Sequence, residues 1–161
     1  MRARARYAHG AAGVNYYPLS NDVFLRRSDI DRDQLFGHSG RPAPPPRTLA
    51  YYGAHEITHS LTAERLGAGK LWNHALPQWV REGYADYVGL AGKVDVDALY
   101  RRYRAGDPEL DWKKSGSYAR FRLLVAYMLE RERWSVDRLL GGGLSQTRAE
   151  AIMNAGMART S

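Results

Sequence analysis

Two histidines and a glutamate stand close together in an apolar segment of the chain. They are His55, Glu56 and His59, within the run of residues 49–66. Residues four apart share one face of a helix, so the two imidazoles can bind one metal ion while Glu56 lies at the adjoining edge. A carboxylate beside a zinc site can take the proton of a water molecule that attacks a carbonyl carbon. The segment therefore predicts half of a zinc site suited to hydrolysis, with Glu56 as the general base.

A third ligand must come from another part of the chain, because a catalytic zinc ion has three protein ligands and one open position. Thr62 and Arg65 occupy the positions at which an extended motif would carry a glycine and a third histidine. The chain instead offers Glu82, in a segment that opens with Pro77 and has the apolar pattern of a helix. Glu82 would complete a site of two histidines and one carboxylate.

Asp86 follows Glu82 by one helical turn. From there a carboxylate can accept the outer N–H of a ligating imidazole and fix its tautomer. Two other acids compete with Glu82 for the metal. Glu64 lies about 140° around the helix from His59, which directs it away from the site. Asp86 is shorter and would have to exchange roles with Glu82, so Glu82 is the predicted ligand and Asp86 its supporting carboxylate.

The stretches HEITHS and PQWVREGYADYV resemble the gluzincin group of zinc metallopeptidases, the thermolysin-like branch. The likeness is greatest to small peptidase domains whose second motif is Pro-x-Trp-x-x-Glu-Gly-x-Ala, and it covers residues 48–88. It implies a zincin-like fold, zinc as the cofactor and a peptide or protein as the substrate. The upstream part departs from the family, because it shows no complete strand-rich half of the kind that larger members carry. The roles that the resemblance implies are zinc ligation by His55, His59 and Glu82, general-base catalysis by Glu56, and support of the first histidine by Asp86.

A further catalytic group is expected at the start of a later helix. Domains of this family often carry a Gly-Ser-Tyr or similar stretch there, and residues 115–118 are similar to it. A phenol at that position can hydrogen-bond the oxyanion that develops on a substrate carbonyl. Tyr118 is therefore the candidate for this role, with His74 and Tyr84 as alternatives.

The pattern of the chain predicts one domain, residues 1–161, of the α+β class and predominantly α. Residues 1–40 form a short strand and loop region, and residues 47–161 form the helical catalytic body. Residues 23–26 are the candidate strand, either as an edge that pairs with an extended substrate or as a purely structural strand. Residues 41–46 are too rich in proline to be helical. Besides the two motif segments, helices are expected at residues 96–104, 117–131, 136–140 and 146–158.

Composition limits the class of protein. A chain of 161 residues can form one core, and the absence of cysteine excludes disulfides and thiolate zinc ligands. No apolar run is long enough to span a bilayer, and the N-terminus lacks the apolar region of a signal peptide. The chain as given is therefore expected in the cytoplasm, or outside the cell if its N-terminus is incomplete.

The net charge of +7 raises the question of nucleic-acid binding. Basic residues cluster at residues 101–104 and 113–114, but no base-reading motif accompanies them, so a solvated helix face is the expected explanation. No specific nucleic-acid partner is predicted, and the sequence does not indicate an oligomeric state. Three functions remain open, namely a zinc peptidase, a zinc-dependent amidase or hydrolase of another substrate, and a module in which zinc only joins two helices.

Overall fold

The computed structural model describes residues 13–15, 22–37, 39–67, 76–141 and 143–160. Most of these residues are helical, and the strands among them lie in the N-terminal part. The predicted α+β class with a predominantly helical body is confirmed at this level.

Short antiparallel strands precede the first helix. Strand β1 (Gly13–Asn15) pairs with β2 (Val23–Leu25), and β3 (Ser28–Asp29) pairs with β4 (Gln34–Leu35). The expected strand at residues 23–26 is confirmed as β2, in which Val23 and Leu25 are half-buried and Phe24 is exposed. Both β1 and β2 pack against the first helix. The N-terminal strands therefore support the helix that carries the histidine motif.

Helices form the rest of the described chain. The motif helices are α1 (Leu49–Leu66) and α2 (Gln78–Gly89), and both agree with the prediction. A 3₁₀ turn (Pro108–Leu110) and the short α4 (Trp112–Ser115) were not expected. The remaining helices are α3 (Val96–Arg104), α5 (Ala119–Ala126) with its π-helical continuation (Tyr127–Arg131), α6 (Val136–Gly141) and α7 (Gln146–Thr160).

Helix α1 has defined ends. The Thr48 hydroxyl accepts a hydrogen bond from the backbone N–H of Tyr51 at 3.1 Å, which is a standard N-cap. Asp33 accepts from two further N–H groups of the first turn, those of Leu49 and Ala50. Gly67 ends the helix with a φ of 80°, a backbone conformation that favours glycine. The loop between β3 and β4 is thereby fixed to the start of α1.

Helix α5 forms the centre of the core. Leu123, Leu124, Val125 and Ala126 are fully buried, and α5 packs mainly on α2, which in turn packs on α1. Helix α2 therefore contacts both of the other helices that carry predicted site residues.

Two glycines allow α2 to approach its neighbours closely. A Cβ atom on Gly83 would lie 2.6 Å from the carbonyl oxygen of Phe121 on α5. A Cβ atom on Gly89 would lie 2.8 Å from the ring of Tyr51 on α1. Both distances are shorter than a van der Waals contact. A larger residue at Gly83 would therefore force α2 away from the backbone of α5, and one at Gly89 would displace the Tyr51 ring.

The basic clusters lie on solvated surface, as expected. Arg101, Arg102 and Arg104 are exposed, and Arg102 forms ion pairs with Asp107 and Glu109. Across the described ranges, no helix combines the length and the apolar character needed to cross a bilayer.

Candidate metal centre

The side chains of His55, His59 and Glu82 converge on one point between α1 and α2. The Nε2 atoms of the two histidines are 3.3 Å apart, and each lies 3.6 Å from Oε2 of Glu82. Among the residues that the structure describes, this is the one group of three or more potential ligands whose atoms lie this close together. The three predicted ligands are therefore neighbours in the structure.

The spacing of these atoms suits a single metal ion. Ligands bound to a tetrahedral ion at about 2.0 to 2.1 Å lie about 3.3 Å from one another. The three distances here are 3.3, 3.6 and 3.6 Å, so one ion can be within bonding distance of all three atoms. Two imidazole nitrogens and one carboxylate oxygen form a donor set that first-row transition metals bind. This group of side chains can therefore hold a metal ion.

Burial and neighbouring charges both affect the pKa of the Glu82 carboxyl group. Its side chain is only 12% exposed, and burial by itself would raise the pKa of its carboxyl group. The contacts with His55 and His59, together with the Arg81 guanidinium, outweigh burial and hold the pKa of Glu82 well below its usual range. Arg81 donates from Nε to Oε1 of Glu82 at 2.9 Å. Oε2 is the oxygen that faces the histidines.

Glu56 lies on α1 beside the ligands and is half-buried. Burial raises the pKa of its carboxyl group, while the two histidines act in the opposite direction. The negative charge of Glu82 acts in the same direction as burial. The role of Glu56 as a base stays a prediction.

Tyr118 lies beside this centre. Its ring stacks against that of His55, with 6.1 Å between the ring centroids and 10° between the planes. Burial raises the pKa of the Tyr118 phenol to about 12, and the negative charge of Glu82 adds to this effect. Tyr84 instead lines a cavity of about 430 Å³ together with residues such as Val136, and none of the three ligands lines that cavity. His74, the other alternative, lies outside the described residues.

Asp86 differs from its predicted arrangement. It is fully buried, but its Oδ1 accepts a hydrogen bond from the Tyr51 hydroxyl and its Oδ2 pairs with the Arg122 guanidinium. Nδ1 of His55 is buried and has no hydrogen-bond partner among the described residues. The expected hydrogen bond from His55 to Asp86 is therefore not formed, and the carboxylate of Asp86 instead accepts from Tyr51 and Arg122. Tyr51 contacts both residues, since its ring centroid lies 5.9 Å from that of His55.

Arg81, Tyr51 and Arg122 were not predicted from the sequence. Arg81 had a weak signal, because it adjoins Glu82 in the chain. Tyr51 lies four residues before His55, and Arg122 lies four residues after Tyr118, so each shares a helix face with a predicted site residue. Which of the many basic and aromatic residues reach Asp86 depends on how α1, α2 and α5 pack, and helical periodicity does not contain that information.

Comparisons of the chain with protein-family models, with curated protein sequences and with solved structures find no match. The functional assignment therefore depends on the residues and distances of this site.

Proposed function

We propose that the protein is a zinc-dependent peptidase, with His55, His59 and Glu82 as ligands and Glu56 as the general base. The observation that carries this proposal is the convergence of three ligand atoms, from two helices, to within 3.6 Å of one another. Three protein ligands are typical of a catalytic zinc ion, which keeps its fourth position for water or substrate. The resemblance of both motifs to gluzincins supports zinc as the metal and a zincin-like fold.

Each residue of the site has its own role in the proposed reaction. When bound, a zinc ion would act as a Lewis acid and increase the acidity of a water molecule. Glu56 takes the proton of the attacking water and returns it to the nitrogen of the leaving amine. Tyr118 donates a hydrogen bond to the carbonyl oxygen as negative charge develops on it. Arg81 keeps Oε1 of Glu82 occupied, which leaves Oε2 for the metal.

Two alternatives remain, and they differ in what the site must contain. A zinc-dependent amidase would use the same residues on a different carbonyl compound, because the site defines the reaction more closely than the substrate. A structural zinc site is typically closed by four protein ligands and needs no base. Among the described residues three side chains converge here, with a glutamate beside them. This arrangement favours catalysis over a purely structural role.

A peptide library tests the proposal. The protein is stripped of metal, divided, and assayed with and without added zinc, and the products are identified by mass spectrometry. We expect cleavage of internal or terminal peptide bonds that requires zinc, and none from a Glu82→Ala variant purified in parallel as a control for contaminating proteases. Zinc-dependent hydrolysis of simple amides without peptide cleavage would favour the amidase. Stoichiometric zinc without any hydrolysis would favour the structural module.

A further inference from the structure

A second set of three side chains lies directly behind the candidate metal centre. Asp86 is fully buried, and its two oxygens are bound by the Tyr51 hydroxyl and the Arg122 guanidinium. These residues come from α2, α1 and α5 respectively. We call Tyr51, Asp86 and Arg122 the support layer.

Each residue of the support layer lies four positions along the chain from a residue of the site, which is on the same helix or, for Tyr118, is the N-cap residue of that helix. Tyr51 precedes His55, Asp86 follows Glu82, and Arg122 follows Tyr118. Residues four apart stand one above the other on a helix face. The Arg122 N–H donates to the Tyr118 carbonyl at 2.9 Å, which shows that the helical spacing holds even at the start of α5. The support layer therefore repeats the arrangement of the site one turn away.

The support layer also has the chemistry to fix the three helices relative to one another. A buried carboxylate needs a charged or hydrogen-bonded partner for each oxygen, because desolvation of an unpaired charge is costly. Asp86 meets this need with one group from α1 and one from α5, so its carboxylate is satisfied only when all three helices are in place. The Arg122 side chain is itself only 14% exposed, so water screens the ion pair little.

We propose that Arg122 and Tyr51 are positioning residues, which act through Asp86 to hold Glu82 and Tyr118 in register with His55. This inference rests on the proposed metal site and extends it to Arg122 and Tyr51, neither of which is a predicted metal ligand. Loss of either contact leaves the helices folded and shifts the convergence of the three ligand atoms. Groups that support metal ligands in this way typically change metal affinity by about 10- to 100-fold when they are removed.

Three variants and a matched control test the proposal. Arg122→Met removes the guanidinium at similar size, Arg122→Lys keeps the charge without its forked geometry, and Tyr51→Phe removes one hydroxyl. The control is Arg120→Met, two residues away on α5, whose guanidinium pairs with Glu150 on α7 at 2.8 Å. Zinc affinity is measured by competition with a chelating dye, and the ligand geometry is read from the visible spectrum of cobalt-loaded protein. Urea unfolding of the metal-free proteins confirms that they are folded.

The expected results separate positioning from general stability. Arg122→Met and Tyr51→Phe should weaken zinc binding by about 10- to 100-fold and alter the cobalt spectrum, and Arg122→Lys should recover part of the affinity. Arg120→Met should lose stability but keep the zinc affinity and spectrum of the wild type. Folded Tyr51→Phe and Arg122→Lys variants with wild-type zinc affinity and spectrum would overturn the proposal, even if Arg122→Met failed to fold. A wild-type protein that binds neither metal would instead refute the metal site itself, and this inference with it.

Discussion

At the scale of single residues, Glu82 connects the two halves of the site. It presents Oε2 to both histidines, 3.6 Å from each, while Arg81 holds Oε1 at 2.9 Å. A carboxylate that is hydrogen-bonded at one oxygen binds a metal through the other, so the arrangement favours a single bond from Glu82 and an open position on the ion. The separate roles of the metal ligand and of the general base can then be tested one residue at a time.

The Glu56→Gln substitution separates catalysis from metal binding. The amide is similar in size but cannot accept a proton at neutral pH, so zinc binding should persist while hydrolysis falls by at least about 100-fold. Rates and zinc content are measured on the same zinc-loaded samples. Glu64→Gln is the matched control, because Glu64 is an exposed glutamate of the same helix, and it should retain full activity. A Glu56→Gln variant with near-normal turnover would show that Glu56 is not the base.

The Tyr118→Phe substitution tests the hydrogen bond to the oxyanion. Removal of such a donor typically costs about 100- to 1,000-fold in kcat, because the interaction forms only as charge develops on the carbonyl oxygen. Zinc content and KM should change little. Tyr84→Phe is the control, since Tyr84 lines the separate cavity, and its kcat should equal that of the wild type. An unchanged kcat for Tyr118→Phe would transfer the role to another group.

At the scale of helices, the site depends on how closely α2 approaches α1 and α5. Gly83 and Gly89 allow these approaches, at 2.6 Å to the Phe121 carbonyl oxygen and 2.8 Å to the Tyr51 ring. Gly83 adjoins Glu82 in the chain, so any shift of α2 away from α5 at this point also moves a predicted ligand. We therefore expect changes in helix packing to alter metal binding.

The Gly83→Ala substitution tests this coupling. The added methyl group meets a backbone oxygen, which cannot rotate away, so we expect a loss of about 1 to 3 kcal/mol in the free energy of unfolding. Zinc affinity should fall as well. Gly53→Ala is the matched control, because Gly53 lies on α1 with no atom within 4 Å of an added Cβ. There, alanine should leave stability unchanged or raise it by up to about 1 kcal/mol, since it is a better helix former. Equal stability of both variants would contradict the close packing of α2 on α5.

The helices were easier to predict than the contacts between them. Long segments with an apolar period, such as α1 and α2, were located from the sequence, and Ser135 and Ser145 accept backbone hydrogen bonds near the starts of α6 and α7 as N-caps should. Strands β3 and β4, of two residues each, contain too few positions for an alternating pattern. The 3₁₀ turn Pro108–Leu110 is too short for a helical period.

At the scale of the whole molecule, three helices meet at one centre. The N-terminal strands pack on α1, and α2 carries the third ligand. Helix α5 carries Arg122 and has Tyr118 as its N-cap residue. The order and type of the ligands could be read from the chain, because two of them share one motif and the third follows in a second motif. The partners of Asp86 could not, because they depend on how α1 and α5 pack against α2.

The central claim is that His55, His59 and Glu82 bind one zinc ion. It is tested most directly by diffraction from crystals of zinc-loaded protein, with an anomalous difference map calculated from data collected just above the zinc absorption edge. We expect one strong peak per chain, at about 2.0 to 2.2 Å from Nε2 of His55, Nε2 of His59 and an oxygen of Glu82. A map without a peak between these three side chains, or with the zinc ion bound by other residues, would contradict the claim.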